Sequence, residues 1–280
     1  MSWLLSRVRK AQSSRHRLLA LATALAFAAG PAGCSESRPV ARAATPSAPA
    51  VQLAVLGDSL AFGAGAGDTS GGFAFRVYRA IAGARPGSEI TNAAIGGSTA
   101  ADVLRLQVAR LRERRFDVVI LCVGGNDVVR DVPSAAFSRT YGRLVAAVRA
   151  AAPGAALVAV GVPDVSISPL FADHAAAIRK LAQADDRAAR DAAVANGAHY
   201  IDLFALTRRA RETPGFLSQD RFHPSDEGHA QIAALALPVV EAALWSKRKE
   251  KSDRADTMQP EKKIYGGMVN FPKDRPILHQ

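Results

Sequence analysis

Five short apolar runs punctuate the chain, and between them apolar residues recur at helical spacing. The runs cover residues 51–56, 88–95, 116–123, 155–162 and 199–203. The third is almost continuously apolar, as expected of a strand covered on both faces. Phe73, Val77, Ala80 and Ile81 mark one amphipathic helix. Residues 99–115 form a second, with Val103, Leu104, Val108 and Leu111 on one face and Arg105, Arg112 and Glu113 away from it. Ser98 or Thr99 suits its N-cap, with Asp102 in the first turn. Pro133 opens a helix that Pro153-Gly154 stops after Ala152. Residues 172–196 and 225–245 complete the helical set, with Gly197 as a C-terminal stop and Ser225 as a cap. Strands alternating with helices at this rhythm predict one doubly wound parallel sheet, helices on both faces. For strand order 2-1-3-4-5, its crevice opens between strands one and three, outside their carboxyl ends.

The ends of the chain read differently from this middle. Arg7, Arg9, Lys10, Arg15 and Arg17 precede an apolar stretch over 18–29, the order of an export signal and too short to span a bilayer comfortably. Small residues before Cys34 are similar to a lipobox, so Cys34 is a lipidation candidate, although Pro31 departs from the usual aliphatic residue. Ordinary cleavage near Ala43 is the alternative. The expected organisation is therefore a signal over 1–33, a Ser/Pro/Ala tether over 34–50, a folded domain over 51–245 and a charged, disordered tail over 246–280. The expected destination is the cell surface, the periplasm or the medium.

The formal charge of +11 invites a nucleic-acid reading, but the excess sits at the ends. Residues 51–245 carry 20 basic and 19 acidic side chains, which leaves no phosphate-binding face to argue from. Cys122 is the one cysteine within the expected domain; it lies in an apolar run and reads as a small buried hydrophobe. No metal-finger spacing is present, and no internal disulfide framework is possible there.

Candidate chemistry gathers where the runs end. The four clusters are Gly57-Asp58-Ser59-Leu60, the loop from Asn92 through Gly96-Gly97-Ser98, Gly124-Gly125-Asn126-Asp127, and Asp220-Arg221-Phe222-His223. A serine hydroxyl becomes a useful nucleophile when a base takes its proton and a third group fixes the tautomer of that base. Asp220 and His223, three residues apart at the mouth of a helix, suit orienter and base. The bare N–H of Gly96, the amide of Asn126 and the N–H of Ser59 suit donors to a developing oxyanion. Asp58 and Asp127 read as turn residues, and the Gly-rich segment 63–72 lacks the lysine of a P-loop. His174, His199 and His229 read as surface or core residues rather than metal ligands. Arg208, Arg209 and Arg211 read as a solvated helix face.

Together the four clusters, in this order, resemble the SGNH (GDSL) hydrolase family over most of residues 51–245. The continuation His223-Pro224-Ser225-Asp226-Glu227-Gly228-His229 is similar to that family's entry into its last helix. The resemblance implies a flavodoxin-like three-layer α/β/α sandwich with a five-stranded parallel sheet. It also implies hydrolysis of esters or thioesters through an acyl-serine, with no cofactor and no metal. Ser59 would be the nucleophile, His223 base and then acid, and Asp220 the orienter; Ser59, Gly96 and Asn126 would form the oxyanion hole. Residues 163–171 and 204–219 are expected as rim loops. Leu60, Phe62, Val165, Ile167, Leu170 and Phe171 are expected to line an acyl pocket for short- to medium-chain esters or lysophospholipids. Two alternatives stand beside this: an acetyl esterase or acyltransferase on envelope polysaccharide, and a non-catalytic binding lipoprotein.

Overall fold

A computed structural model describes residues 48–210 and 212–257; the signal segment 1–33, Cys34, most of the tether and residues 258–280 lie outside them. The elements run β1 (Gln52–Gly57), α1 (Ser59–Phe62), α2 (Phe73–Ala84), β2 (Glu89–Asn92), α3 (Ala100–Leu106), β3 (Val118–Cys122) and α4 (Gly125–Val129). They continue with α5 (Ser134–Ala151), β4 (Ala156–Val160), α6 (Ala175–Ala195), β5 (His199–Ile201), α7 (Leu203–Ala210) and α8 (Asp226–Thr257). The five strands form one parallel sheet in the order β2-β1-β3-β4-β5, as expected.

Strand alternation sorts the core into two layers. Leu53 and Val55 of β1, Val118 and Ile120 of β3, and Val158 and Val160 of β4 face α2 and α8, meeting Phe73, Val77, Ile81, Ile232, Ala236 and Val240. Their neighbours Ala54, Leu56, Val119, Leu121 and Leu157 face α3, α5 and α6, meeting Val103, Phe137, Tyr141, Leu144 and Ala189. β3 and β4 are thus apolar at every position because both of their faces are covered. Each fully buried aliphatic side chain contributes about 1.5–3 kcal/mol over exposure. This is the three-layer α/β/α sandwich.

Some boundaries move, each for a local reason. The helix expected over 99–115 breaks: α3 ends at Leu106, and a 3₁₀ segment, Val108–Arg112, follows Gln107. Thr99 and Asp102 close a reciprocal capping box at its start. A 3₁₀ segment, Pro169–His174, precedes α6, which begins at Ala175. The rim segment expected from residue 204 starts as helix α7, where the Asp202 carboxylate accepts the N–H of Ala205. Arg208 and Arg209 are exposed on α7, while Ala210 beside them is buried. The last helix does not stop at Trp245 but runs to Thr257, so part of the segment expected to be disordered is helical. Residues 246–257 contain neither Gly nor Pro, and Lys247 pairs with Glu250 at i,i+3.

Candidate active site

All four clusters arrive at the carboxyl edge of the sheet. β1 ends at Gly57, whose φ of 151° and contact distance exclude a side chain: a Cβ there would lie 1.9 Å from the Cys122 carbonyl oxygen of β3. The chain therefore turns directly against its neighbour strand. Asp58 caps the short helix α1 by accepting the N–H of Leu60 at 3.0 Å, and Ser59 is presented at the first helical position. Asn126 emerges in α4 immediately beyond β3. The Gly96 loop closes over the same spot, since a Cβ on Gly96 would be 3.9 Å from that of Ser59.

His223 comes from the segment that precedes α8. Its Nε2 lies 2.9 Å from Ser59 Oγ, and its Nδ1 lies 2.6 Å from Asp220 Oδ2. The other carboxylate oxygen of Asp220 accepts the N–H groups of Phe222 and His223, each at 2.9 Å, and the Ser218 hydroxyl at 2.8 Å. Partial burial pushes this carboxyl up, but the bonds from His223, Phe222 and Ser218 outweigh it and hold its pKa at about 2. Asp220 is therefore ionised at neutral pH and accepts a hydrogen bond from Nδ1–H, leaving the Nε2 lone pair toward Ser59.

The Gly96 loop is braced from three sides. The Asn126 amide donates to the Ser98 carbonyl at 3.1 Å, which spends one of its two protons. Arg130 donates to the Gly97 carbonyl at 2.6 Å. Buried Gln107 reaches the Ser98 hydroxyl and both backbone groups of Gly57. Neither Arg130 nor Gln107 belongs to a motif; the signal for Gln107 was a polar residue on the apolar face shared by Val103 and Leu111.

Asp58 has the turn role expected of it, whereas Asp127 lies inside α4 and acts across the fold rather than in a turn. Asp127 accepts the N–H of Ala100 at the start of α3 at 3.0 Å. Burial is the main cause that raises Asp58 to about 7 and Asp127 to about 6. His229 is fully buried with both ring nitrogens engaged, Nδ1 accepting from Phe73 N–H and Nε2 donating to the Ala64 carbonyl. It ties α8 to the glycine-rich segment, and burial lowers its pKa. Asp226 adds a contact with Gly67 N–H and an ion pair with Arg76. The glycine-rich segment is thus fastened beneath His223.

A cleft of about 520 Å³, counting its open side, runs from Ser59 and Asn126 between residues 163–167 and 216–224. Leu60, Val165 and Ile167 line it as expected. Phe62 and Leu170 do not; both are exposed. Phe171 instead packs edge-on against Phe222, which forms part of the wall with Phe216, Leu217 and Ile232. The apolar character of the cleft was legible, but half of its walls come from the far end of the sequence.

Residues 55–231 match the GDSL-like lipase/acylhydrolase family. The chain belongs to that family. It is a carboxylic-ester hydrolase, and its substrate is an acyl ester. No curated protein matched the chain. Among solved structures, TesA is similar at 23% identity and a TM-score of 0.58, covering 69% of this chain and 99% of its own. An acetylxylan esterase, Axe2 from Geobacillus stearothermophilus, is similar at 21% identity and a TM-score of 0.55, covering 70% and 96%. An extracellular lipase from Streptomyces rimosus is similar at 22% identity and a TM-score of 0.52, covering 69% and 100%. At these identities the likeness shows the shared fold.

Proposed function

We propose that this hydrolase cleaves carboxylic esters or thioesters through an acyl-serine formed on Ser59. The observation that carries the reading is one imidazole, His223, within hydrogen-bond reach of both Ser59 Oγ and Asp220 at the head of an apolar cleft. Ser59 Oγ attacks the acyl carbonyl carbon while His223 Nε2 takes its proton. Negative charge that moves to the carbonyl oxygen is met by the N–H groups of Ser59 and Gly96 and the second amide proton of Asn126. Collapse breaks the bond from the acyl carbon to the leaving oxygen or sulfur, and His223 returns the proton to the departing alcohol or thiol. Water then repeats the sequence on the acyl-serine and releases the carboxylic acid. Asp220 remains ionised throughout and stabilises the imidazolium.

The walls favour an aliphatic acyl group. Leu60, Val165, Ile167, Phe216 and Phe222 offer apolar surface beside the serine, which suits short- to medium-chain acyl esters or lysophospholipids. Export through residues 1–33, with Cys34 as the lipidated first residue, completes the proposal; mass spectrometry of Cys34 in the mature protein tests it. For the chemistry, a fluorophosphonate should label Ser59 stoichiometrically in folded protein, and Ser59→Ala should lose both the label and hydrolysis of a chromogenic short-chain ester while melting as wild type does. Full hydrolysis by Ser59→Ala would overturn the mechanism.

A further inference from the structure

Gln107 is buried to 1% exposure where α3 gives way to its 3₁₀ continuation, on a face otherwise made of Val103 and Leu111. A polar side chain in that setting is costly unless its groups are paired. Its Oε1 accepts the Gly57 N–H at 2.8 Å, and its Nε2 donates to the Gly57 carbonyl at 2.8 Å and to Ser98 Oγ at 3.3 Å. Donor and acceptor on Gly57 also fix which end of the amide is which.

Gly57 needs this partner because β2 leaves the sheet early. Pairing between β1 and β2 reaches only Val55 and Asn92. Beyond it, Ile95 N–H still finds the Gly57 carbonyl at 3.1 Å, but the Gly57 N–H turns to Gln107. The glutamine Oε1 thus supplies the acceptor that a longer β2 would offer the Gly57 N–H. It also touches Ser98, whose carbonyl holds the Asn126 amide and which lies two residues beyond Gly96. One side chain therefore spans the backbone that delivers Ser59 and the loop that carries Gly96 and holds the Asn126 amide.

We propose that Gln107 is a positioning residue that sets the spacing between the Ser59 nucleophile and the oxyanion donors Gly96 and Asn126. The inference rests on the roles given to those three residues above. Gln107 touches no substrate, so its loss should appear in kcat, where transition-state alignment is felt, and not in KM.

The test uses Gln107→Leu and Gln107→Glu in the full chain, with steady-state kinetics on a chromogenic short-chain ester and thermal melts. A neutral carboxyl can copy the amide, its C=O accepting from Gly57 N–H and its O–H donating to the Gly57 carbonyl; the ionised form cannot donate. The ionisable groups nearby are Asp58, beside Gly57, Asp127, which accepts from Ala100 on α3, and Asp220 and His223 of the site, so each variant is compared with wild type at the same pH. In Gln107→Leu, kcat should fall ~10- to 100-fold, the range for a small misplacement of reacting groups, with KM within about threefold. Gln107→Glu should match that loss at pH 8 and recover toward wild type as the pH is lowered to 6. If Leu does not fold, the pH-dependent ratio from Glu alone decides. A kcat within about twofold of wild type at pH 8 in a folded variant, a loss confined to KM, or a pH-independent Glu ratio would each overturn the proposal. Failure of the site assignment shows separately, as wild-type hydrolysis with no label on Ser59.

Discussion

The two partners of the Ser59–His223 contact are held by opposite means. Ser59 follows a strand buried on both faces, and Gly57 before it is wedged against Cys122 and clasped by Gln107. Its position is fixed by residues 50 to 65 places away in sequence. His223 instead sits on a segment whose order is mostly its own. Asp220 gathers Ser218, Phe222 and both N–H groups of His223 within three positions. Arg221 takes φ 62°, and the Leu217–Pro224 bridge closes the turn. Its supports from elsewhere include Gly65 beneath His223, Phe171 edge-on against Phe222, and the Ser168 hydroxyl donating to the Arg221 carbonyl. The nucleophile is thus a product of the sheet, whereas the base is a product of a turn. Segments with few long-range ties are where a fold opens first.

The largest effect that separates the two sides should come from Asp220→Asn. The asparagine oxygen can still accept from Phe222 and His223, so the turn survives. Its amide hydrogens face His223 Nδ1, which drives the ring proton to Nε2 and points it at Ser59. We expect kcat to fall about 10³- to 10⁴-fold, with KM and melting temperature little changed. Because Asp220 is ionised down to about pH 2, its stabilising share is present above the unfolded carboxylate range and is lost only as the pH falls through about 2. An acid limb of activity at higher pH therefore does not come from Asp220.

Gly65→Ala should have a smaller effect, on the support rather than the turn. Gly65 has φ 92°, and a Cβ there would lie 2.7 Å from His223 Cβ and 2.3 Å from the Pro224 carbonyl oxygen. Something must shift, and the base side has the weaker ties. A kcat loss of roughly 10-fold is expected with Ser59 still labelled by a fluorophosphonate, more slowly. Wild-type kinetics would mean that the base side is as firmly held as the nucleophile.

The same contrast explains what could be read in the sequence. Asp220-x-x-His223 and Gly57-Asp58-Ser59 are local patterns whose spacing carries their geometry; the parallel sheet followed from the strand–helix rhythm, and its strand order went with the flavodoxin-like resemblance. Gln107 and Arg130 were not legible in the same way, because their partners lie at Gly57, Gly97 and Ser98 and no short spacing records them. The break after α3 was missed for the same cause: periodicity from Val103 to Leu111 continues through it, while the tertiary contact at Gln107 interrupts the backbone. Rim residues were half right, since apolar composition marks a wall but not which wall.

The nucleophile side has its own cost, and Asp58 measures it. Asp58 is 5% exposed, and burial raises its carboxyl to about 7, with Asp127 adding repulsion after the opposing Leu60 N–H. Between the ordinary carboxylate value and pH 7, the folded chain keeps this proton while the unfolded chain has lost it. Stability from the group is therefore full below about pH 4 and declines as the pH rises through 7. Asn at this position keeps the cap to Leu60 through its oxygen and carries no proton to lose. Asp58→Asn should then gain stability over wild type as the pH rises from 5 to 8, by up to about 3 kcal/mol for roughly two pK units at ~1.4 kcal/mol each. Urea unfolding at the two pH values checks this. An equal difference at both would mean that Asp58 is ionised in the fold, and that the sheet holds the nucleophile against a buried charge.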